Sequence, residues 1–283
     1  MKKLLVLALL SPLSATATPP SLQAQEAPRP RVASPAGFQA ALLPSRGDVI
    51  AGKPVTLAFT VRDAKGNLVR ELPHVHEKPM HLLVISKDLR DFFHLHPELQ
   101  ADGSYRVEHT FPSGGDYTLF IDYTPKGAPQ VVDRIPLTVK GAPRATAALR
   151  ADTTSTRTVD GLRVTMTPSK PPRPGEGVVL QFTVVDEKTG RPAADLEPYL
   201  GAMAHFVILS EDSKDFLHAH PLEEKPTGDG RVSAHTTFPR AGFYKAWVQL
   251  QRDGKVITVP FVLNVPGAPA NPAPAQGHGH AHH

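Results

Sequence analysis

The sequence predicts an all-β chain of two tandem Ig-like, Greek-key β-sandwich domains, and three observations predict it. Short apolar or alternating segments follow one another, separated by turn signals such as Asp63-Ala-Lys-Gly-Asn67, Thr124-Pro-Lys-Gly127 and Gln251-Arg-Asp-Gly254. No segment sustains a helical period. The two halves also repeat each other. Val55-Thr-Leu-Ala-Phe-Thr-Val-Arg-Asp63 matches Val178-Val-Leu-Gln-Phe-Thr-Val-Val-Asp186, Phe111-Pro112 matches Phe238-Pro239, and Gly115-Asp-Tyr117 matches Gly242-Phe-Tyr244. The offset between matched positions grows from 123 at Val55 to 127 at Phe111, which places the insertions in loops. So long a period describes two similar domains, not a solenoid of stacked units.

The chain opens with Lys2 and Lys3, an apolar run from Leu4 to Leu10, and small residues at Ala15, Ala17 and Ala24. This is the pattern of a cleaved export signal, read as 1–24, with an apolar run too short to span a bilayer. The expected location is periplasmic or secreted. Loss of Lys2 and Lys3 takes the formal net charge from +4 to about +2, spread without a basic block, so nucleic acid is not an expected partner. Nor does any other apolar run approach the length of a membrane span. The chain has no cysteine, which excludes disulfides, thiolate metal sites, iron–sulfur clusters and covalent haem attachment.

The first domain is expected over 36–140, a linker rich in Ala, Thr, Arg and Pro over 141–160, and the second domain over 161–266, its first strand emerging near Leu162 to Met166. Gly115-Asp-Tyr117 and Gly242-Phe-Tyr244 start late strands, where Ig-like folds place a tyrosine corner; Leu119 and Ala246 then stand where antibody domains have their second cysteine. The segment 267–283 begins Pro/Ala-rich and ends Gly-His-Gly-His-Ala-His-His, a composition expected to be disordered and metal-gathering.

The chemistry concentrates in a second repeated pattern. His81, His94 and His96 recur as His205, His218 and His220, a His-x12-His-x-His-Pro spacing in both halves. Each spans two apolar runs around a polar stretch, Lys87 to Asp91 in the first, which is a β-hairpin pattern. With the turn between Asp88 and Leu89, opposed residue numbers sum to about 177. His81 then faces His96 and lies diagonal to His94, and all three share a face. A one-residue slip would send His81 to the other side. Three imidazoles on one face are metal ligands by chemistry, since metal-free neighbours gain nothing from one another and repel once protonated. The bland alternative is that duplication copied six structural histidines along with the packing.

Weaker candidates surround these. His74 and His76 have no histidine counterparts in the second half, where Pro198 and Leu200 stand. Met80 is expected on the face opposite His81, whereas Met203 could share a face with His205. His109 and His235 fall one position apart in the alignment, and Asp91 and Asp215 are read as turn residues first and partners of ligands second.

The block Met80-His81-Leu-Leu-Val-Ile-Ser with Phe93-His94-Leu-His96-Pro97, together with Gly-Asp-Tyr-Thr-Leu-Phe and Val-Val-Asp-Arg-Ile-Pro-Leu-Thr-Val, resembles the YtkA-like exported bacterial β-sandwich domains associated with copper handling. That resemblance covers most of both units and implies copper ahead of zinc. Imidazole affinity order also favours Cu(II), and without cysteine a blue-copper electron-transfer site is disfavoured. The expected function is metal buffering or handling with one histidine cluster per domain, with another envelope metal-handling protein as candidate partner. Catalysis is not expected, because no nucleophile elbow, HExxH or general-base constellation accompanies the histidines. The alternative is a structural or adhesive cell-envelope module.

Overall fold

A computed structural model describes residues 37–267 apart from 46, 146, 147, 220 and 224, with His218 described through its backbone alone. The leader and all but the first residue of the tail expected from sequence therefore lie outside the described residues. No helix occurs among the described residues, and none long and apolar enough to cross a membrane.

The first half contains β1 (Gln39–Leu42), β2 (Pro54–Arg62), β3 (Leu68–Val69), β4 (His81–Ser86), β5 (Phe92–Leu95), β6 (Glu98–Leu99), β7 (Tyr105–Thr110), β8 (Gly115–Tyr123) and β9 (Val131–Val139). They form one sheet in the order β1-β2-β7-β6, with β3 also on β2, and a second in the order β5-β4-β8-β9. The second half contains β10 (Thr156–Val159), β11 (Leu162–Pro168), β12 (Gly177–Asp186), β13 (His205–Ser210), β14 (Phe216–Ala219), β15 (Arg231–Thr237), β16 (Gly242–Arg252) and β17 (Lys255–Val265). Their sheets run β10-β11-β12-β15 and β14-β13-β16-β17. In each half the chain crosses between sheets so that distant strands become neighbours, the Greek-key pattern of Ig-like sandwiches. The strand expected near Leu162 is β11. It is preceded by β10, inside the stretch read as linker, because Thr-Arg-Thr-Val on an edge carries no apolar alternation.

Alternation builds each core. Leu57, Phe59 and Val61 of β2 point inward to meet Leu82, Val84, Leu119 and Ile121; in the second half Val178, Leu180, Phe182 and Val184 meet Phe206, Ile208, Ala246 and Val248. Tyrosine corners close both sandwiches. The Tyr117 hydroxyl lies 3.1 Å from the Ser113 carbonyl and the Tyr244 hydroxyl 3.1 Å from that of Arg240, each also meeting a carboxylate, Asp91 at 2.7 Å and Asp215 at 2.9 Å. Leu119 and Ala246 fill the cysteine positions with buried apolar groups.

Two strands break the alternation rule. Every residue of β4 and of β13 is buried, as expected only of strands covered on both faces. Leu83 and Ile85 turn away from the first core and pack with Leu89, Phe120, Val207, Leu209 and Trp247 in a third cluster that joins the halves. Its rings pair reciprocally. Phe92 stacks on Trp247 with centroids 4.7 Å apart, and Phe120 on Phe216 at 5.0 Å. Since Phe92 corresponds to Phe216 and Phe120 to Trp247 in the repeat, the contact is the self-complementary kind that a two-fold relation makes. Each half also caps the other's hairpin turn: Lys245 Nζ donates to the Leu89 carbonyl at 2.6 Å, and Arg134 to those of Ser213 and Lys214 at 3.1 and 2.8 Å.

Replacing Trp247, 2% exposed, with alanine should cost about 3–5 kcal/mol. It should also split a single chemical-unfolding transition into two as the halves uncouple, followed by circular dichroism against urea. An unchanged midpoint and a single transition would show that the joint carries no stability.

Candidate metal centre

The face that joins the halves turns from aliphatic to imidazole at one end. In β4, Ile85 and Leu83 are followed along that face by His81; in β5, Phe92 is followed by His94. Register fixes the rest. Leu83 pairs with His94 and Leu82 with Leu95, the predicted sum of 177, which carries His96 across from His81. In the second half Val207 pairs with His218 in the same relation, and His205 starts β13 on the same face.

Three rings of the first half converge. The centroids of His81 and His94 are 5.2 Å apart, those of His81 and His96 5.1 Å, and those of His94 and His96 4.7 Å. One nitrogen from each lies within 4.8 Å of the other two. Imidazoles bound at 2.0–2.1 Å to a tetrahedral ion would hold their ring centres about 5.2 Å apart and neighbouring nitrogens about 3.3 Å apart. His81 Nδ1 and His94 Nε2 are 3.0 Å apart, between that value and the roughly 2.9 Å of a square-planar ion with the same bond lengths.

The tautomers follow from the second nitrogen of each ring. His81 Nε2 sits 2.9 Å from the Val75 carbonyl and must donate to it, so in neutral His81 the unprotonated nitrogen is Nδ1. His94 Nδ1 lies 2.6 Å from Gln249 Oε1, whose amide nitrogen donates to Thr258 Oγ1 at 3.1 Å, so in neutral His94 the unprotonated nitrogen is Nε2. Two lone pairs then confront each other. A half-turn of the Gln249 amide would let a proton chain run from Gln249 through His94 and His81 to the Val75 carbonyl. It would not satisfy His96 Nε2, which is buried without a hydrogen-bond partner.

Burial keeps these rings uncharged. His94 is held well below the ordinary histidine range by desolvation and then by His96, with His81 and His205 adding to the effect and the Gln249 hydrogen bond opposing it. His96 is pushed down to about 4 by desolvation and then by His81 and Lys78. His94 and His96 are thus neutral donors at neutral pH, the protonation state a metal needs.

The second half enters the same cluster. His205, 1% exposed, lies with its centroid 6.1 Å from His94 and 5.1 Å from His76, and its Nε2 meets the Tyr199 carbonyl at 2.8 Å. Tyr199 walls the site, its ring 6.4 Å from His94, 6.5 Å from His96 and 5.3 Å from His205. Among the described side chains the histidines of the first half and His205 of the second gather at the joint. His220 lies outside the described residues, and for His218 the strand position alone is placed.

The weaker candidates separate cleanly. His76 reaches the cluster, 6.2 Å from His81, whereas His74 is exposed. Met80 and Met203 are both core filler, so Met203 does not share the face of His205. His109 is held between Phe93 and Phe111, 4.5 and 4.6 Å away, and His235 is exposed. Asp91 and Asp215 serve the tyrosine corners at the opposite end of the hairpins and not the histidines. Sequence reading missed Gln249 and Tyr199. Gln249, 5% exposed, interrupts the apolar run Trp-Val-Gln-Leu where the first half has Asp122, 3% exposed, and a polar residue breaking a buried strand in both copies was the available signal.

Solved structures match this chain only at low similarity. They include the bacterial integrin-binding protein invasin (14% identity, TM-score 0.24, 82% of this chain and 39% of that one) and a Salmonella alpha-2-macroglobulin (14%, 0.29, 81% and 15%). A tetra-tandem repeat from the extending region of a large adhesion protein is another (11%, 0.27, 81% and 49%). The chain spans less than half the length of each. No curated protein matches it. The family described as "Domain of unknown function (DUF8832)" matches residues 36–141 and again 157–267, so the chain belongs to that family and carries its domain twice.

Proposed function

We propose that this is an exported metal-handling protein that holds one transition-metal ion on His81, His94 and His96, copper ahead of zinc. The observation that carries the reading is the convergence of three donor nitrogens within 4.8 Å, with Val75 and Gln249 holding His81 and His94 by their other nitrogens and burial keeping His94 and His96 neutral. An all-imidazole donor set in a chain without cysteine suits Cu(II) over Zn(II) by intrinsic affinity. Export rests on the leader pattern of residues 1–24, and buffering or transfer to another envelope metal-handling protein is the role that fits a buried set of ligands. The tail histidines, His278, His280, His282 and His283, would gather ions at the surface.

A second reading is favoured by one observation, the reciprocal aromatic joint between the sandwiches. A fixed two-domain unit of this kind would serve a structural or adhesive role in the cell envelope, its histidines being packing alone.

Copper(II) titration of the full chain with the four tail histidines changed to serine separates the two readings. One tight equivalent is expected, weakened roughly 100-fold or more by His94→Ala and by 10–100-fold by Gln249→Leu, which removes a partner of a ligand without removing the ligand. Absence of a tight equivalent, or variants that bind as well as the parent, would leave the structural reading.

The depressed histidines also fix a pH signature. Below an unfolded-state pKa of about 6.5 the unfolded chain takes up protons that folded His96 refuses until about 4. Stability of the metal-free protein should therefore fall as pH drops from 6.5 to 4, by on the order of 3 kcal/mol for this residue. Copper binding should persist below the pH 6.5 expected of ordinary imidazoles. Urea midpoints across that range are the check, with a shallower fall expected in the His96→Phe variant, where His94 still contributes; a parent midpoint that does not move would contradict the burial argument.

A further inference from the structure

Resting on that reading, we infer that the ion is shared between the two domains, with His205 as the ligand contributed by the second, so that metal binding locks the sandwiches together. The two-fold relation makes His205 the mate of His81, and the same backbone device holds both. His81 Nε2 donates to the Val75 carbonyl and His205 Nε2 to the Tyr199 carbonyl, carbonyls that open equivalent turns, Val75–Lys78 and Tyr199–Ala202. With Nε2 donating, Nδ1 is the nitrogen that carries the lone pair in each neutral ring.

Two further contacts already couple the halves through this cluster. The tautomer of His94, a ligand of the first domain, is set by Gln249 of the second. His76 crosses in the other direction. It sits in a turn with φ +50, followed by Glu77 at φ +62, consecutive left-handed conformations that side chains with a Cβ rarely adopt. The equivalent turn uses Leu200 and Gly201. The turn sets the His76 ring 5.1 Å from His205 and 6.2 Å from His81, edge-on to both. Leu200 has φ +51, so the conformation belongs to the turn in both halves, and what differs in the first is the imidazole that it carries to histidines of both domains. A His94–His205 centroid distance of 6.1 Å is wider than the about 5.2 Å of adjacent tetrahedral ligands. His205 lies outside the set of nitrogens within 4.8 Å of one another, so joining it takes a turn of its ring together with an approach of the domains by about 1 Å or more.

The test is Cu(II) titration of the full chain, tail histidines changed to serine, alongside His205→Gln and Trp247→Leu. Glutamine can still donate to the Tyr199 carbonyl but offers no imidazole, and Trp247→Leu loosens the joint without touching any proposed ligand. The expected result is a tenfold or greater loss of affinity in both variants, one fewer nitrogen in the Cu(II) electron paramagnetic resonance pattern for His205→Gln, and a copper-induced rise in unfolding midpoint that spans both domains. Tight binding by the parent with unchanged affinity and nitrogen count in both variants would overturn the shared site while leaving a first-domain site intact. Absence of tight binding by the parent would overturn both.

Discussion

Burial of β4 and β13 on both faces is the constraint from which the rest of this structure follows. An ordinary sandwich strand spends one face on its own core and leaves the other to water. Here the outer faces are spent on each other, through Leu83, Ile85, Val207, Leu209 and the two stacked ring pairs. Once those faces are pressed together, whatever stands at the end of the same rows is pressed together too. The residues at the end of the rows are histidines, so hydrophobic packing determines the spacing of polar groups that would not associate by themselves.

That arrangement has a cost which an ion would relieve. Neutral imidazoles gathered away from water lose solvation, and a proton added to any of them meets neighbours that repel it. The carbonyls of Val75 and Tyr199 and the amide of Gln249 reduce the loss by engaging one nitrogen of three of the rings. They also orient the remaining nitrogens, as partners of metal-bound histidines do. The same contacts that stabilise the apo cluster therefore pre-organise it as a donor set.

Much of this was legible beforehand. The hairpin register was readable because apolar alternation and a polar turn leave one pairing that keeps Leu82 and Val84 in the core, and that pairing places His81, His94 and His96 together. The tyrosine corners were readable from Gly-x-Tyr at the start of a late strand. The joint between the domains was not, although His-Leu-Leu-Val-Ile-Ser carries a trace of it: a strand with one wet face alternates, and this one does not. Repeat logic treats the halves as copies and is blind to how copies dock, so it gave no sign that His205 lies near His94 and His76 of the other half. Asp91 stands at the hairpin turn, as its first reading had it, but the repeated turn position did not tell whether the side chain faces the ligands at one end of the hairpin or the Tyr117 hydroxyl at the other.

The most direct measurement is copper K-edge X-ray absorption on the full chain loaded with one equivalent of Cu(II), the four tail histidines replaced by serine. Three or four nitrogens at about 2.0 Å with the outer-shell scattering of imidazole rings is the spectrum this account requires. A first shell of oxygen without ring scattering would mean that the buried cluster holds no copper and that its histidines are only part of the joint.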